Sequence, residues 1–360
     1  MTPTKSQRVQ KSFLKYQHFL VFASPIVFIL IVVLAAPVPH DAGAGYWFEY
    51  WWLFFFFLLG ATVVNTVGIS GSALFVPFLI FIFPVLSHSL EPPTIVKVGL
   101  ISESFGLSSS AVAFIRYGLV DRRLALTLVL GSIPFVIGGA LLSFVIPEPL
   151  FHAALGVALL AASYLLLSAD ISHGEGSEDD GSTEAVADGS GDDLPDDAGK
   201  LGPAGVEVEE GDVTRVTQGG ESYFYTWTGY LERFGNYSVG GVFQGLAGFG
   251  IGELGIISQL RTNVPVRVAI GTNHIVVAVT AIIASLVHVF GGGLVPGGHS
   301  LDLASTPWNM VVFTVPATVT GGQIAPYVSN ALETGTLTKG VAALFAVISI
   351  ALFIMATGGI

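Results

Sequence analysis

Gly68-Ile69-Ser70-Gly71-Ser72-Ala73-Leu74-Phe75-Val76-Pro77-Phe78-Leu79 interrupts one long apolar run, and Gly248-Phe249-Gly250-Ile251-Gly252-Glu253-Leu254-Gly255 interrupts another in the second half of the chain. Each break is followed by a basic residue that opens a helix of small residues, KVGLISES from Lys97 and RVAIGTNH from Arg267. Glycine-broken apolar segments at corresponding places in two halves are the pattern by which membrane transporters build a site near the bilayer midplane. Working outward from the breaks, the remaining runs are Ile95 to Ile115, Leu124 to Ile146, Pro149 to Ser168, Val266 to Phe290, Pro307 to Pro326 and Leu337 to Thr357, all of spanning length. The third elements match in detail: Pro134 precedes Gly138 and Gly139, as Pro316 precedes Gly321 and Gly322.

The chain has 360 residues, of which 52% are hydrophobic and 11% charged, with a mean hydropathy of +0.73. That is more apolar surface than a soluble domain of this length buries, so the composition specifies an integral membrane protein, and the spanning-length apolar runs make it all-α. The net charge of −12 is local. Sixteen of the 26 acidic residues fall between Asp170 and Glu221, against Lys200 and Arg215 alone, and the rest of the chain is about +2. Rich in Gly, Asp and Ser, this stretch reads as a disordered acidic linker. The absence of cysteine excludes thiolate metal sites, disulfides and thiol catalysis, and no nucleotide-binding motif is present. The sequence calls for no cofactor, metal or nucleic acid; its partner at this level is membrane lipid, with a homo-oligomer as an open alternative.

Four regions follow: 1–45, a basic tail with Lys5, Arg8, Lys11 and Lys15 before an extra transmembrane helix; 46–168, the first membrane repeat; 169–222, the linker; and 223–360, the second repeat. The first helix is long enough to be retained, with cleavage near Ala35 and Ala36 as the alternative. The aromatic cluster YWFEYWWLFFFF from Tyr46 reads as an interfacial belt. Basic residues choose the topology. If both broken segments enter and return on one side, 10 of the 11 basic residues outside the linker and Arg233 are cytoplasmic, Lys97 being the exception. This gives seven full spans and two re-entrant hairpins in inverted repeats, with the N-terminus and acidic linker inside the cell.

The first break resembles the G-I-G-G-G-x-L-x-V-P-x-L signature of the sulfite exporter TauE/SafE family, with Ser70 and Ser72 in place of two glycines. The second, from Gly250 through Pro265, Arg267, Ala269, Gly271 and Thr272, resembles the family's glycine cluster before an A-x-G-T-S helix, with Glu253 and Asn273 as departures. The stretch RYGLVDRRLALTLVLGSIPFVIGGALL from Arg116 is similar as well. The resemblance implies transport, often export, of small sulfur-containing anions such as sulfite or organosulfonates.

Paired half-helix starts offer backbone N–H groups to an oxyanion. The substrate-binding candidates are Asn65, Thr66, Gly68, Ser70, Gly71, Ser72, Gln244, Gly248, Gly250, Gly252, Thr272 and Asn273; helix packing by small residues is the competing explanation. Glu103 and Glu253 lie in apolar surroundings where a carboxylate is expensive, so with His274 they are candidates for proton coupling, against a purely capping role. His88, His288 and His299 read as near-surface. Two other functional classes remain in view. The same repeat builds a passive anion channel, and GISG around Ser70 fits the G-x-S-G of a rhomboid-like intramembrane serine protease, for which His274 or His288 must serve as base.

Overall fold

The computed structural model describes residues 5–39, 43–116, 120–173, 205–209, 212–216, 222–294, 303–331 and 334–357. Helix α1 spans Lys5–Ala35; α2 spans Ala44–Phe48, α3 Leu53–Val67, α4 Ser72–Phe81, α5 Phe83–Leu86, α6 Pro92–Arg116, α7 Arg122–Leu142 and α8 Glu148–His173. In the second half come α9 Trp227–Ala247, α10 Ile251–Arg261, α11 Val266–Phe290, α12 Trp308–Ala331 and α13 Thr334–Ala356. Six helical segments among the described residues are long and apolar enough to cross a membrane: Ala44–Val67, Pro92–Ile115, Arg122–Leu142, Glu148–Leu165, Val268–Phe290 and Lys339–Ala356. Helix α12 is long enough at 24 residues but falls outside these six. Its polar residues are spent inside the bundle, where Thr318 donates to the Ser102 carbonyl (2.7 Å) and Gln323 to the Ser109 carbonyl (2.8 Å) on α6.

Both glycine-rich stretches end a helix and start a new one. Gly68 and Gly248 take left-handed conformations, φ 83° and 87°, which a residue with a Cβ adopts only with strain. Their N–H groups close the last turns of α3 and α9 on the carbonyls of Val64 and Gln244. After each break the chain folds back. The Phe57 ring stacks on Phe75, Phe56 on Phe78 and Trp52 on Phe83, a register that runs antiparallel. In the second break, Arg261 at the end of α10 pairs with Glu232 in the second turn of α9 (2.8 Å), and Thr262 meets Arg233. The aromatic cluster therefore divides by helix face. Trp51 and Phe55 are exposed as a belt requires, whereas Phe57 is buried against the returning arm.

The two halves are interleaved. Helix α3 packs along α12 and α9 along α7, while α6 pairs with α11 and α8 with α13. Small residues permit the close crossings: a Cβ on Gly139 of α7 would collide with the Val242 carbonyl of α9, and one on Gly321 of α12 would lie 2.8 Å from the Leu58 carbonyl of α3. Gly138, next to Gly139, has open space. Gly139→Ala is accordingly expected to cost about 2 kcal/mol, read as a lower thermal unfolding temperature, with Gly138→Ala unchanged; equal effects would remove the crossing as the cause.

Parts of the acidic stretch carry regular structure. Helix α8 continues to His173, and β1 (Gly205–Glu209), β2 (Asp212–Val216) and β3 (Ser222–Phe224) form an antiparallel sheet in the order β1-β2-β3, with Glu209 opposite Asp212 and Thr214 opposite Phe224. The valines at 206, 208, 213 and 216 supply strand character that the acidic composition masks. The Asp- and Ser-rich part, 174–204, lies outside the described residues.

Candidate functional site

The two breaks meet. A Cβ on Gly252 would lie 2.7 Å from Ser70 Oγ and 2.9 Å from Ser70 N, and one on Gly248 would lie 2.9 Å from Ser72 Oγ, so the first turn of each returning helix touches the other break. Glu103 lies near the middle of α6. It accepts the Ser72 N–H (3.0 Å), the Ser72 hydroxyl and Gln244 Nε2 (3.3 Å). Glu253, on the first turn of α10, accepts the Ser70 N–H (3.1 Å) and the Gly250 N–H (2.8 Å). Ser70 in turn donates to Gln244 Oε1 (3.4 Å).

Each carboxylate therefore holds backbone donors at the break from which α4 starts, and Glu253 also holds one at its own. An ionised carboxylate is an acceptor only, and every one of these contacts is a donor facing it. Glu103, Glu253, Ser70, Ser72 and Gln244 are at most 1% exposed. The positive ends of the two short helices and these donors offset the cost of burying two carboxylates.

Asn273 braces the same junction from α11. Its Nδ2 donates to the carbonyls of Gly252 (2.8 Å) and Gly68 (3.3 Å), one in each break, and its Oδ1 accepts from the Tyr237 hydroxyl (2.6 Å). Gln259 Nε2 donates to that same hydroxyl (2.5 Å). Nothing in the motif spacing marks Tyr237, which reads as one more aromatic in a small-residue helix; only the hairpin brings it over Asn273.

Other candidates lie apart. Asn65 donates to the Ala61 carbonyl and Thr66 to those of Thr62 and Ala325, so both are engaged with backbone away from the junction. A Cβ on Gly71 would meet the Phe75 ring, and one on Gly250 would meet Phe243. Thr272 points toward the start of α7, where its hydroxyl accepts the Asp121 N–H (3.0 Å). Asp121 is buried and caps α7 through the Leu124 N–H (3.1 Å), while also accepting the hydroxyls of Tyr223 (2.8 Å) and Tyr225. His274 lies 3.3 Å from Ser110 Oγ and against Phe114. A cavity of about 280 Å³ between α1, α6 and α11, lined by Ser24, Ser104, Ser108 and Ile282, is also separate from the junction.

His288 corrects the near-surface reading. It is fully buried, with Nε2 on the Gly245 carbonyl of α9 (2.8 Å) and its ring against Phe144. His88 is exposed, and His299 lies outside the described residues. Neither His274 nor His288 is hydrogen-bonded to Ser70, whose hydroxyl faces Gln244. A serine nucleophile needs its base within hydrogen-bond reach, and this serine has an amide oxygen there instead.

The profile of the sulfite exporter TauE/SafE family matches residues 52–352, which include both breaks and all the helices that bear on the junction. The chain belongs to that family. It is also 22% identical over 285 residues to a probable membrane transporter protein, YunE, of Bacillus subtilis (strain 168), covering 78% of this chain and 88% of the relative. No solved structure matches. Family and fold together make this TauE/SafE member a multi-pass membrane transporter, with Ser70, Ser72, Glu253 and Asn273 at the junction of its breaks.

Proposed function

We propose that the protein moves small sulfur-containing oxyanions, sulfite or organosulfonates, across the cell membrane in the export direction, with the site where the two breaks meet and with proton coupling through Glu103 and Glu253. The observation that carries this is the capture of the helix-start N–H groups of Ser70, Ser72 and Gly250 by two buried carboxylates. Those are the donors that an oxyanion needs, and the protein's own anions stand on them. Adding a proton to a carboxyl turns an acceptor into a donor and loosens its hold, so binding of the anion and uptake of a proton favour each other. Asn273, Gln244 and the hydroxyls of Ser70 and Ser72 orient the bound oxygens. The description of the matched family, sulfite exporter, supports the substrate class.

The topology belongs to the same proposal. Helix α4 has 10 residues and α10 has 11, about 15 Å and 17 Å at 1.5 Å per residue, half of a hydrocarbon core of about 30 Å. Both returning segments come back beside the start of the helix they fold onto, Phe83 on Trp52 and Arg261 on Glu232, so each break re-enters, and the halves 46–168 and 223–360 form inverted repeats with the N-terminus and the acidic linker in the cytoplasm. The exchanged pairing of α3 with α12 and α9 with α7 supports that symmetry.

The test is flux into liposomes holding the full chain, screened over sulfite, sulfate, thiosulfate, sulfoacetate and taurine with and without a pH gradient. Saturable, gradient-dependent movement of one of them is expected. Flux linear in concentration would make the protein a channel, and movement of none would remove the substrate class.

A further inference from the structure

Arg233 lies on α9, one turn before Tyr237, and is 1% exposed. Its Nη1 donates to Thr262 Oγ1, and its guanidinium carbon stands 5.4 Å from the centroid of the Tyr225 ring. Its Nε and Nη2 are buried and have no hydrogen-bond partner. No ion pair reaches Arg233 from a carboxylate among the described residues. The two carboxylates whose charges act on Arg233 are both engaged elsewhere: Glu232 pairs with Arg261, and Asp121 accepts the Leu124 N–H and the hydroxyls of Tyr223 and Tyr225, Tyr225 being the ring over Arg233.

A guanidinium taken out of water is expensive unless an anion faces it, and unmade donor bonds add to that cost. Two adjacent N–H nitrogens in one plane match two oxygens of a tetrahedral or pyramidal sulfur oxyanion better than a single ammonium does. The position is continuous with the junction. Residues four apart on a helix share a face, so Arg233 sits over Tyr237, whose hydroxyl reaches Asn273 and through it Gly252 and Gly68. One helical turn, about 5 Å, separates the guanidinium's residue from that chain of contacts.

We infer that Arg233 is a second anion station, which takes a small sulfur oxyanion through Nε and Nη2 on the side of the Asp121–Tyr223–Tyr225 cluster and passes it to the junction at Asn273, with Tyr225 as its roof. The station deepens the transport reading and rests on it for the handover. It needs only anion binding to be real.

Two readouts on the purified full chain separate the station from transport: the rise in thermal unfolding temperature on adding sulfite, sulfate, thiosulfate, sulfoacetate or taurine, and sided KM for the carried anion in liposomes of known orientation. For Arg233→Gln, the anion-induced rise should fall by at least half, and KM from the face bearing Asp121 should increase at least ~10-fold while the opposite KM stays within about 2-fold. Arg233→Lys should recover part of both effects. An anion-induced rise lost in Arg233→Gln and kept in Arg233→Lys upholds the station even where no anion crosses the bilayer, in which case transport alone fails. An Arg233→Gln protein with a lower melting point in buffer, an intact anion-induced rise and unchanged KM makes the arginine structural and overturns the station, leaving transport standing. The absence of a rise with every one of these anions in the unmutated protein overturns it too.

Discussion

Glu103→Gln is expected to leave a folded, inserted protein whose anion flux falls by about 100-fold and no longer responds to a pH gradient. The fold survives because the amide oxygen still accepts from Ser72, and Gln244 can turn its own amide so that the two side chains remain paired. Ser70, which donates to Gln244 Oε1 at 3.4 Å, then accepts from that amide and turns its own hydroxyl proton to Glu253. We expect a stability cost of about 1 kcal/mol, the scale of one altered hydrogen bond. Flux responds differently because an amide neither gains nor releases a proton. A hydrogen bond to a charged group contributes about 1.5–3 kcal/mol, which corresponds to roughly 10- to 100-fold. Flux from purified protein, with equal insertion verified, checks this; unchanged pH-driven flux in both Glu103→Gln and Glu253→Gln would remove the carboxylates from the coupling.

The second large effect is at Asn273, and there it falls on the fold itself. Its Nδ2 holds one carbonyl from each break, so Asn273→Asp replaces a donor by an acceptor facing Gly68 and Gly252 oxygens. Two buried carbonyls lose their partner and a third negative group joins Glu103 and Glu253, a loss of about 3 kcal/mol or more. Asn273→Ser, small enough to donate to one of the two, should fall between. Thermal unfolding in detergent orders the three proteins. If Asn273→Asp melted like the unmutated chain, the brace between the breaks would be absent.

Much of this was legible in residue order. The glycines that mark the breaks announce themselves because only they adopt the left-handed turns at positions 68 and 248 without strain. Glu103 and Asn273 occupy the same place in KVGLISES and RVAIGTNH, and both turn out to hold the breaks. The failures follow from helix geometry. Thr272 and His274 flank Asn273 but project about 100° away from it on a helix of 3.6 residues per turn, toward Asp121 and Ser110. Asn65 and Thr66 turn back on their own helix, as such side chains do when a carbonyl lies four residues behind. The pairing of α7 with α9 had no signature, because the partner of Gly139 is a backbone carbonyl. The isolation of Arg233 was equally hidden: its neighbours Thr262, Tyr225 and Tyr237 come together only when the hairpin closes.

The chain contains no cysteine, so Ser72→Cys in the full protein presents a single thiol at the proposed site. The most direct test of the central claim, that the anion binds where the two breaks meet, is the alkylation rate of that thiol in liposomes with and without the anion found to be carried. Slowing by the carried anion, half-maximal near its KM, with no slowing by an anion that is not carried, is the result expected. Alkylation indifferent to a saturating concentration of a carried anion would place the site elsewhere.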